Sequence, residues 1–405
     1  MGGDSYCFSL PTTEDLSLSG KDSPHESINS SGDEEGLRHK LENGSVMKDV
    51  TWIDEAEAAE RQRLKVYSQI LRSYEDIQPR VDRLEEAKNK ILSYTPGSWA
   101  DKAACTELSE YDRPNATSLL LIGPKGSGKS SLVNKISRVL EDRVFLPGRA
   151  QVSSSSSAGD GTFFLHEYMI PRGSGSFCVY DTRSLSLDSS ENLKMIKRWM
   201  TKGVRHGELI RRKSDSMTLK AQLKCKARRS FFSGQVRPVD FVIFVVNGLS
   251  VLESMNSADE KKKGYSEMIA ANFNNPLLSF KDDKPAIAVT HGDLLPLPDR
   301  VRVCAYLGQL LGVPPTGQIF DIPENNDPAT TSTIFDMLIY CLERADRNLP
   351  VKDLFAEKVR AVAGLLFWIA AAMIVVFGIP GLHRSKPQAP PFKMEWHKIR
   401  HLWLE

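Results

Sequence analysis

Cysteine is scarce in this sequence, and what there is lies scattered. The 405 residues include six cysteines, with no Cys-x-x-Cys pair and no histidine cluster beside them. A disulfide framework or a cysteine-based zinc site needs closely spaced ligands, so neither is expected. The distribution indicates a protein of a reducing compartment.

A strong net charge and a secretory signal are also missing. The formal charge is +2, which by itself indicates no charged partner. Residues 1–10 lack a basic segment followed by an apolar core, so we expect no signal peptide. Residues 1–51 have little aliphatic periodicity and are rich in Ser, Asp, Glu and Gly, which predicts a disordered acidic arm.

Residues 52–94 are predicted to be helical. Apolar side chains recur in alternating steps of three and four, as in a heptad stripe, at Tyr67, Ile70, Tyr74, Ile77, Val81, Leu84 and Ile91. Lys88 interrupts the stripe, and Pro79 should kink the helix or begin a second one. Two interpretations stay open: a short coiled coil that makes a homodimer, or a helical pair packed on the next domain. Residues 95–116 are predicted to be a linker.

A glycine-rich loop joins an aliphatic run, residues 117–122, to a helix predicted over residues 130–140. The spacing Gly-x-x-x-x-Gly-Lys-Ser between a strand and a helix is the P-loop pattern, in which backbone N–H groups surround phosphate oxygens. The lysine reaches the β- and γ-phosphates, and the serine is a ligand of Mg²⁺. The predicted phosphate-binding residues are Gly123, Lys125, Gly126, Ser127, Gly128, Lys129, Ser130 and Ser131.

The fold class predicted for residues 117–350 is α/β, a three-layer P-loop NTPase domain with a mostly parallel sheet. Segments 162–170 and 177–181, separated by a turn, predict a β-hairpin. Three further aliphatic runs predict strands, at residues 241–246, 286–290 and 318–322.

Three oxygen-bearing side chains are candidate Mg²⁺ ligands. Ser130 belongs to the P-loop pattern, and Asp181 ends a predicted strand about fifty residues after it. Thr162 opens the preceding strand and can supply a second hydroxyl. No catalytic residue can be named from the sequence.

The predicted fifth strand is followed by Thr290, His291, Gly292 and Asp293. A carboxylate at this place can accept hydrogen bonds from the N1–H and 2-amino groups of guanine, which adenine does not offer. GTPases commonly have Asn or Thr, then Lys, then any residue, then Asp, so His291 replaces a lysine. We therefore expect GTP with Mg²⁺, and ATP less so.

These motifs give the chain a family resemblance. It resembles the interferon-inducible forty-four-type GTP-binding proteins, a branch of the septin-like GTPases, over roughly residues 117–350. The matching stretches are GPKGSGKSS, the strand-end Asp181-Thr182, segment 195–209, Thr-His-x-Asp, the turn at Gly312 and the closing LERADRNLP. The resemblance implies a GTPase-type fold that binds GTP, with phosphate contacts at residues 123–131 and base contacts at Thr290, His291 and Asp293.

The chain departs from GTPases after Asp181. The usual Asp-x-x-Gly reads Asp-Thr-Arg-Ser, with Ser184 in the place of the glycine whose N–H binds the γ-phosphate. No glutamine follows to orient water. We expect a nucleotide-dependent switch with slow or partner-dependent hydrolysis. The alternatives are a non-hydrolysing interaction protein and, third, an ATP-dependent enzyme.

An uncharged apolar run, residues 361–382, is long enough to cross a ~30 Å hydrocarbon layer as a helix. It is followed by a short basic tail, residues 383–405, so we expect a tail anchor on an intracellular membrane with the nucleotide domain in the cytosol. A buried helix or a re-entrant hairpin are the alternatives. An anchor lies outside the family pattern above; it is similar in architecture to the chloroplast outer-envelope translocon GTPases. A plastid, mitochondrial or peroxisomal outer surface is favoured over the endoplasmic reticulum.

A basic stretch interrupts the domain. Residues 194–229 contain thirteen Lys or Arg and two acids. A solvated helix face is one interpretation; contact with anionic lipid is the leading functional one, and nucleic acid is not expected because no recognised module is present.

Overall fold

A computed structural model describes most of the chain between residues 58 and 378. The described residues are 58–76, 81–100, 111–141, 148–150, 162–173, 175–229, 234–350, 352 and 354–378. The chain divides into two compact units, residues 1–63 and 64–405. In the first unit, residues 58–63 are helical. The predicted acidic arm, residues 1–51, and the predicted basic tail, residues 383–405, lie outside the described residues. All elements below belong to the second unit.

The second unit contains a six-stranded sheet in the order β2-β3-β1-β4-β5-β6. The strands are β1 Thr117–Ile122, β2 His166–Met169, β3 Phe177–Asp181, β4 Phe241–Asn247, β5 Ala286–Thr290 and β6 Ile319–Asp321. The pairs β1–β3, β1–β4, β4–β5 and β5–β6 are parallel, and β2 runs antiparallel to β3. The predicted α/β fold with a mostly parallel sheet is therefore confirmed.

Alternating residues of the central strand β1 face two separate hydrophobic clusters. Leu120 and Ile122 belong to one cluster, while Leu119 and Leu121 belong to the other. Successive side chains of a strand point to opposite faces, and both faces of this sheet are covered by helices. The aliphatic run 117–122 is consequently buried along its whole length.

The described part of the second unit also contains α-helices. They are α1 (residues 64–75), α2 Leu84–Leu92, α3 Lys129–Glu141, α4 Ser189–Lys202, α5 Met217–Arg229, α6 Gly248–Asn256, α7 Glu260–Phe273, α8 Leu297–Leu311, α9 Pro315–Gln318, α10 Pro328–Arg347 and α11 Leu354–Gly378. Helices α4 and α10 begin at aspartates whose side chains accept backbone N–H groups of the first turn.

The two helices before β1 pack on opposite faces of the sheet. Ile70 of α1 is buried in the cluster of Leu120, with Tyr67 and Tyr74 packed against that cluster. Ile91 of α2 is buried in the other cluster, and α2 contacts α10. Both helices thus pack on the domain, but not as a pair on one face. The predicted heptad side chains of α1 are used within the chain, so the coiled-coil alternative is not supported.

Helix α11 covers most of the predicted membrane span. Its described side chains, residues 362–374, are nearly all exposed and apolar, Trp368 at 73% and Phe367 at 71%. Residues 379–382 of the predicted span lie outside the described residues. Within the described part of the chain, no helix reaches the length and apolarity that a membrane crossing requires.

Candidate functional site

The glycine-rich loop leaves β1 and enters α3 at the carboxyl ends of the parallel strands. Gly123 lies against β4: a Cβ atom there would stand 2.1 Å from the carbonyl oxygen of Val245, so only glycine fits. Gly126 and Gly128 have φ of +76° and +79°, a region that residues with a side chain rarely adopt. The predicted loop is therefore formed with glycines where close approach and positive φ demand them.

The Lys129 side chain is buried inside this loop. Its Nζ donates to the carbonyl oxygens of Gly123 and Pro124, each at 3.0 Å, and lies 3.4 Å from Ser127 Oγ. It also donates to Ser184 Oγ at 3.2 Å. Burial lowers the pKa of Lys129 to about 8, although the carboxylate of Asp181 acts in the opposite direction. The ammonium thus stands in the loop where bound phosphate oxygens would be its natural partners.

The remaining loop residues differ in their exposure to solvent. Lys125 and Gly126 are exposed at the tip, Ser127 is fully buried, and Ser131 is half-buried on the first turn of α3. Asn247, at the end of β4, donates to the Gly126 carbonyl at 3.4 Å. This asparagine was missed from the sequence, although a polar residue that closes an aliphatic strand is a usable signal.

The three predicted magnesium ligands lie together beside the loop. Ser130 Oγ donates to Asp181 Oδ2 at 2.6 Å, and Thr162 Oγ1 donates to the same oxygen at 3.0 Å. The two hydroxyl oxygens are 3.4 Å apart. Residues from α3, the segment before β2 and the end of β3 thus converge, although they are distant in sequence.

This oxygen cluster fits a hard cation. Asp181 is 2% exposed, and its Oδ1 is buried without a hydrogen-bond partner in the described part of the chain. A buried carboxylate oxygen of this kind requires a partner, and Mg²⁺ is held in proteins by one or two such oxygens together with phosphates and water. Among the described residues no three His, Cys, Asp or Glu side chains cluster, so a site for a softer metal is not seen there. The second unit is thus an α/β domain whose mostly parallel sheet carries a P-loop sequence between β1 and α3.

In this P-loop domain, the segment after Asp181 is attached to the phosphate loop. Thr182 Oγ1 donates to the carbonyl of Leu121 at 2.6 Å, and Leu185 N donates to the carbonyl of Gly123 at 2.9 Å. Among the described residues other than glycine, positive φ occurs at Lys281 and His291. Ser184 therefore occupies the place of the usual glycine without the strain that a left-handed backbone would impose.

The predicted base-recognition residues follow β5 at the same edge of the sheet. Thr290 is buried, and its hydroxyl contacts the carbonyls of Ser127 at 3.0 Å and Val246 at 3.1 Å. It thereby ties β5 to the loop. His291 has φ of +60°, and its Nδ1 lies 2.9 Å from the Thr290 hydroxyl. Asp293 is exposed, and its Oδ1 accepts the N–H of Glu324 at 2.8 Å.

A lysine outside the sequence motifs supports the segment that carries Asp293. Lys135, buried on α3, donates to the carbonyl of Pro323 and lies 3.5 Å from the carboxylate of Glu324. It holds the segment after β6, whose Glu324 amide in turn orients Asp293. A lysine in the middle of an amphipathic helix carries no signal of such a role in the sequence.

Comparison with known proteins finds solved structures that resemble the chain distantly. No family model matches the chain, and no curated protein matches it. Solved structures that it resembles include Era in complex with MgGDPNP and nucleotides 1506–1542 of 16S ribosomal RNA, at 14% identity and a TM-score of 0.30, covering 59% of this chain and 58% of that one. Aquifex aeolicus Era bound to GDP and AlF4⁻ gives 15% identity, a TM-score of 0.29 and the same coverage.

A probable GTP-binding protein EngB matches at 12% identity and a TM-score of 0.24, over 51% of this chain and 89% of that one. The chain thus spans 58% of the length of the two Era structures. Overlaps this low add nothing to the fold assignment, which rests on the strand order and on the geometry of the loop.

Proposed function

We propose that this chain is a GTP-binding protein that acts as a nucleotide-dependent switch. One observation carries the proposal: the oxygens of Ser130, Thr162 and Asp181 meet beside a phosphate loop closed by the Lys129 ammonium. A glycine-rich loop, a buried cation and a hard oxygen cluster together match a triphosphate with its metal ion. A loop that served only to connect β1 and α3 would need none of the three.

Ser130, Thr162 and Asp181 would hold Mg²⁺, which neutralises phosphate charge when it is bound. Thr162 lies between the loop and β2, and Ser184 follows β3, so the two segments approach the phosphate site from different strands. Contacts of both with a γ-phosphate would be lost in the diphosphate state. We propose that this difference changes what a protein partner can bind.

Guanine is the proposed base because of Asp293. The Glu324 amide fixes its carboxylate at the mouth of the site, and an ionised carboxylate has about four acceptor positions, so it retains capacity for two guanine donors. Adenine presents an acceptor where guanine presents N1–H, so it could not donate a hydrogen bond to this carboxylate from that position.

Calorimetric titration of the full chain in detergent tests this proposal. With Mg²⁺ present, GTP should bind at least about tenfold more tightly than ATP, and Asp293→Ala should remove that preference because it removes the acceptor of the guanine donors. Asp299→Ala, which changes a partly exposed carboxylate on α8, is the control and should keep the preference. Equal affinities of the unmodified protein for GTP and ATP would remove the guanine assignment.

Hydrolysis is proposed to be slow or to depend on a partner. Ser184 replaces the expected glycine, and its hydroxyl is bound by Lys129. Single-turnover assays separate a slow hydrolase from a non-hydrolysing interaction protein, since turnover that Lys129→Ala abolishes would exclude the latter. Preference for ATP in the same assays would favour the third alternative, an ATP-dependent enzyme.

We further propose that α11 anchors the protein in an intracellular membrane with the P-loop domain in the cytosol. The support is the apolar sequence of residues 361–382 and the all-round exposure of the apolar side chains over residues 362–374. A soluble environment would leave this surface in water. Plastid, mitochondrial and peroxisomal outer membranes, and the endoplasmic reticulum, are the candidate locations.

The basic stretch adds a second proposed membrane contact. Both acids of this stretch form ion pairs within the chain: Glu208 pairs with Arg198 at 2.6 Å, and Asp215 pairs with the buried Arg183. Exposed cations remain on α4, where Lys194, Lys197 and Lys202 face solvent. Such a surface can attract anionic headgroups by about 1 kcal/mol for each basic residue near the membrane.

A further inference from the structure

Arg212 lies at the phosphate site although no motif includes it. It belongs to the loop between α4 and α5, and its guanidinium donates to the carbonyl oxygen of Ser184. The Lys129 ammonium donates to the hydroxyl of the same serine. Two cations from different parts of the chain therefore meet at Ser184, the residue that stands where GTPases bind the γ-phosphate.

The Arg212 backbone is held by a buried ion pair. Asp215 accepts a hydrogen bond from the Arg212 backbone N–H at 2.7 Å. It also accepts hydrogen bonds from the two terminal guanidinium nitrogens of Arg183, one of them at 2.8 Å. Arg183 also donates to the carbonyl of Ile210 at 2.9 Å, and its guanidinium lies 5.0 Å from the ring centre of Phe163. Arg183 follows Asp181 by two residues, so the pair fastens the Arg212 loop to the end of β3.

The two arginines therefore differ in what they can do. The guanidinium of Arg183 is buried and bound to Asp215 and a carbonyl, which gives it a structural task. Arg212 is half-buried, so it is more accessible than Arg183. Both arginines line a cavity of about 300 Å³ together with Pro124, Lys125 and Ser184. That cavity adjoins the phosphate loop on the side of the segment that follows β3.

We propose that Arg212 binds the γ-phosphate of the nucleotide, as a cation supplied in cis by the loop before α5. The inference rests on the proposed binding of a nucleoside triphosphate. A planar guanidinium can donate two parallel bonds to phosphate oxygens, and charge added at this point stabilises a triphosphate over a diphosphate. It gives the domain a triphosphate sensor that replaces the missing glycine contact after Asp181.

The test compares GTP-analogue and GDP binding to the full chain. Calorimetry with Mg²⁺ and a non-hydrolysable GTP analogue should show that Arg212→Ala raises the Kd about tenfold or more, the scale of one charge-assisted hydrogen bond. The Kd of GDP should change by less than about twofold. Arg211→Ala, which removes the exposed neighbouring cation, should leave both constants unchanged. Arg212→Lys should recover part of the analogue affinity, since it restores the charge without the bidentate geometry.

The outcomes separate the two proposals. If Arg212→Ala weakens the binding of GDP and of the analogue equally, the γ-phosphate assignment is overturned. Unchanged binding of both nucleotides would overturn it as well. If the unmodified protein binds neither nucleotide, the proposed function fails and this assignment falls with it. Thermal unfolding of each variant reports folding; should Arg212→Ala unfold, Arg212→Gln replaces it with the same expected loss, and unchanged analogue binding by Arg212→Gln overturns the assignment.

Discussion

Asp240 carries a carboxyl group in surroundings that disfavour its charge. It precedes β4 at the edge of the sheet opposite the phosphate loop, and its Oδ2 accepts the N–H of Ser118 at 2.7 Å. Burial raises the pKa of Asp240 to about 7, and the negative charge of Asp346 acts in the same direction. The Ser118 amide opposes the shift without cancelling it.

Asp240→Asn should therefore stabilise the protein above neutral pH. The folded-state pKa is raised above the unfolded value of about 3.9, so folding takes up a proton between about pH 4 and 7 and stability is lost as the pH rises through that window. At pH 8 the variant should gain about 2 kcal/mol after allowance for solvent screening, because its amide oxygen still accepts the Ser118 N–H. The gain should shrink at pH 5.

Thermal unfolding at pH 5 and pH 8 checks this expectation. Asp282→Asn, at an exposed position, is the matched control and should change stability little at either pH. A gain for Asp240→Asn that is the same at both pH values would contradict the titration argument.

At the residue scale, candidate site residues can be predicted from the sequence wherever residue type and position together indicate a chemical role. Ser130, Thr162 and Asp181 were selected for their oxygens and positions, and the structure brings them within hydrogen-bonding distance of one another. Arg212 could not be selected, because the Arg-Arg-Lys run around it looks like any solvated basic segment. Its place depends on the Arg183–Asp215 ion pair, a contact between residues 32 apart in sequence that no periodicity indicates.

Helix α1 covers the edge strand β6 through a polar contact. Tyr74 Oη donates to Asp321 Oδ2 at 2.5 Å, and Arg300 Nε donates to the same oxygen at 2.6 Å. Arg300 also lies 5.1 Å from the ring centre of Tyr74. A Cβ atom at Gly292 would come within 2.5 Å of the other Asp321 oxygen, so this carboxylate stands directly behind the segment that holds Asp293.

Tyr74→Phe should loosen the docking of α1. The change removes a hydrogen bond to a charged group and should cost about 1.5–3 kcal/mol of unfolding free energy. Hydrogen exchange of residues 64–75 should accelerate, because opening of α1 then requires less free energy. The measurement is native-state hydrogen exchange together with thermal unfolding.

Tyr67→Phe, on the same helix and half-buried, provides the comparison and should accelerate exchange much less. Equal acceleration by the two variants would mean that the apolar packing of Ile70, rather than the Tyr74 contact, governs the docking of α1.

At the element scale, strand periodicity and length were reliable in the centre of the sheet and weaker at its edges. Segment 117–122 became β1, and segments 177–181 and 286–290 became β3 and β5, because both faces of these strands are buried. The edge strand β2 is shorter than predicted, His166–Met169, and its neighbour Phe164 makes only an isolated bridge with Leu209. The heptad stripe of α1 predicts an apolar face. Which surface covers that face depends on the tertiary structure, so the helical period alone does not predict it.

The whole molecule combines a P-loop domain with a helix of exposed apolar side chains. The described side chains of α11 are Val362 to Ile374, of which Leu366 is 59% and Ile369 is 51% exposed. The basic surface of α4 belongs to the same unit as the nucleotide site. If both surfaces contact one membrane, the anchor fixes the protein there and the cations add an attraction that depends on lipid charge and on salt.

Vesicle flotation of the full chain tests the anchor. The unmodified protein should float with neutral vesicles and remain bound after an alkaline carbonate wash. Leu366→Arg combined with Ile369→Arg should release it, because each arginine in the middle of a span costs about 2.5–3.5 kcal/mol of insertion free energy. Leu187→Arg changes an apolar residue that is 81% exposed outside α11, and it should leave flotation intact.

The released double variant then tests the basic surface without truncating the chain. It should still bind vesicles rich in anionic lipid at low salt, because the cations attract the headgroups. It should dissociate from them at high salt, which screens this attraction, and it should not bind neutral vesicles. Reversing the exposed charges with Lys194→Glu and Lys197→Glu should abolish the residual binding. Retention of the double variant on neutral vesicles would show that α11 is not the anchor, and equal binding to neutral and anionic vesicles would remove the lipid role of α4.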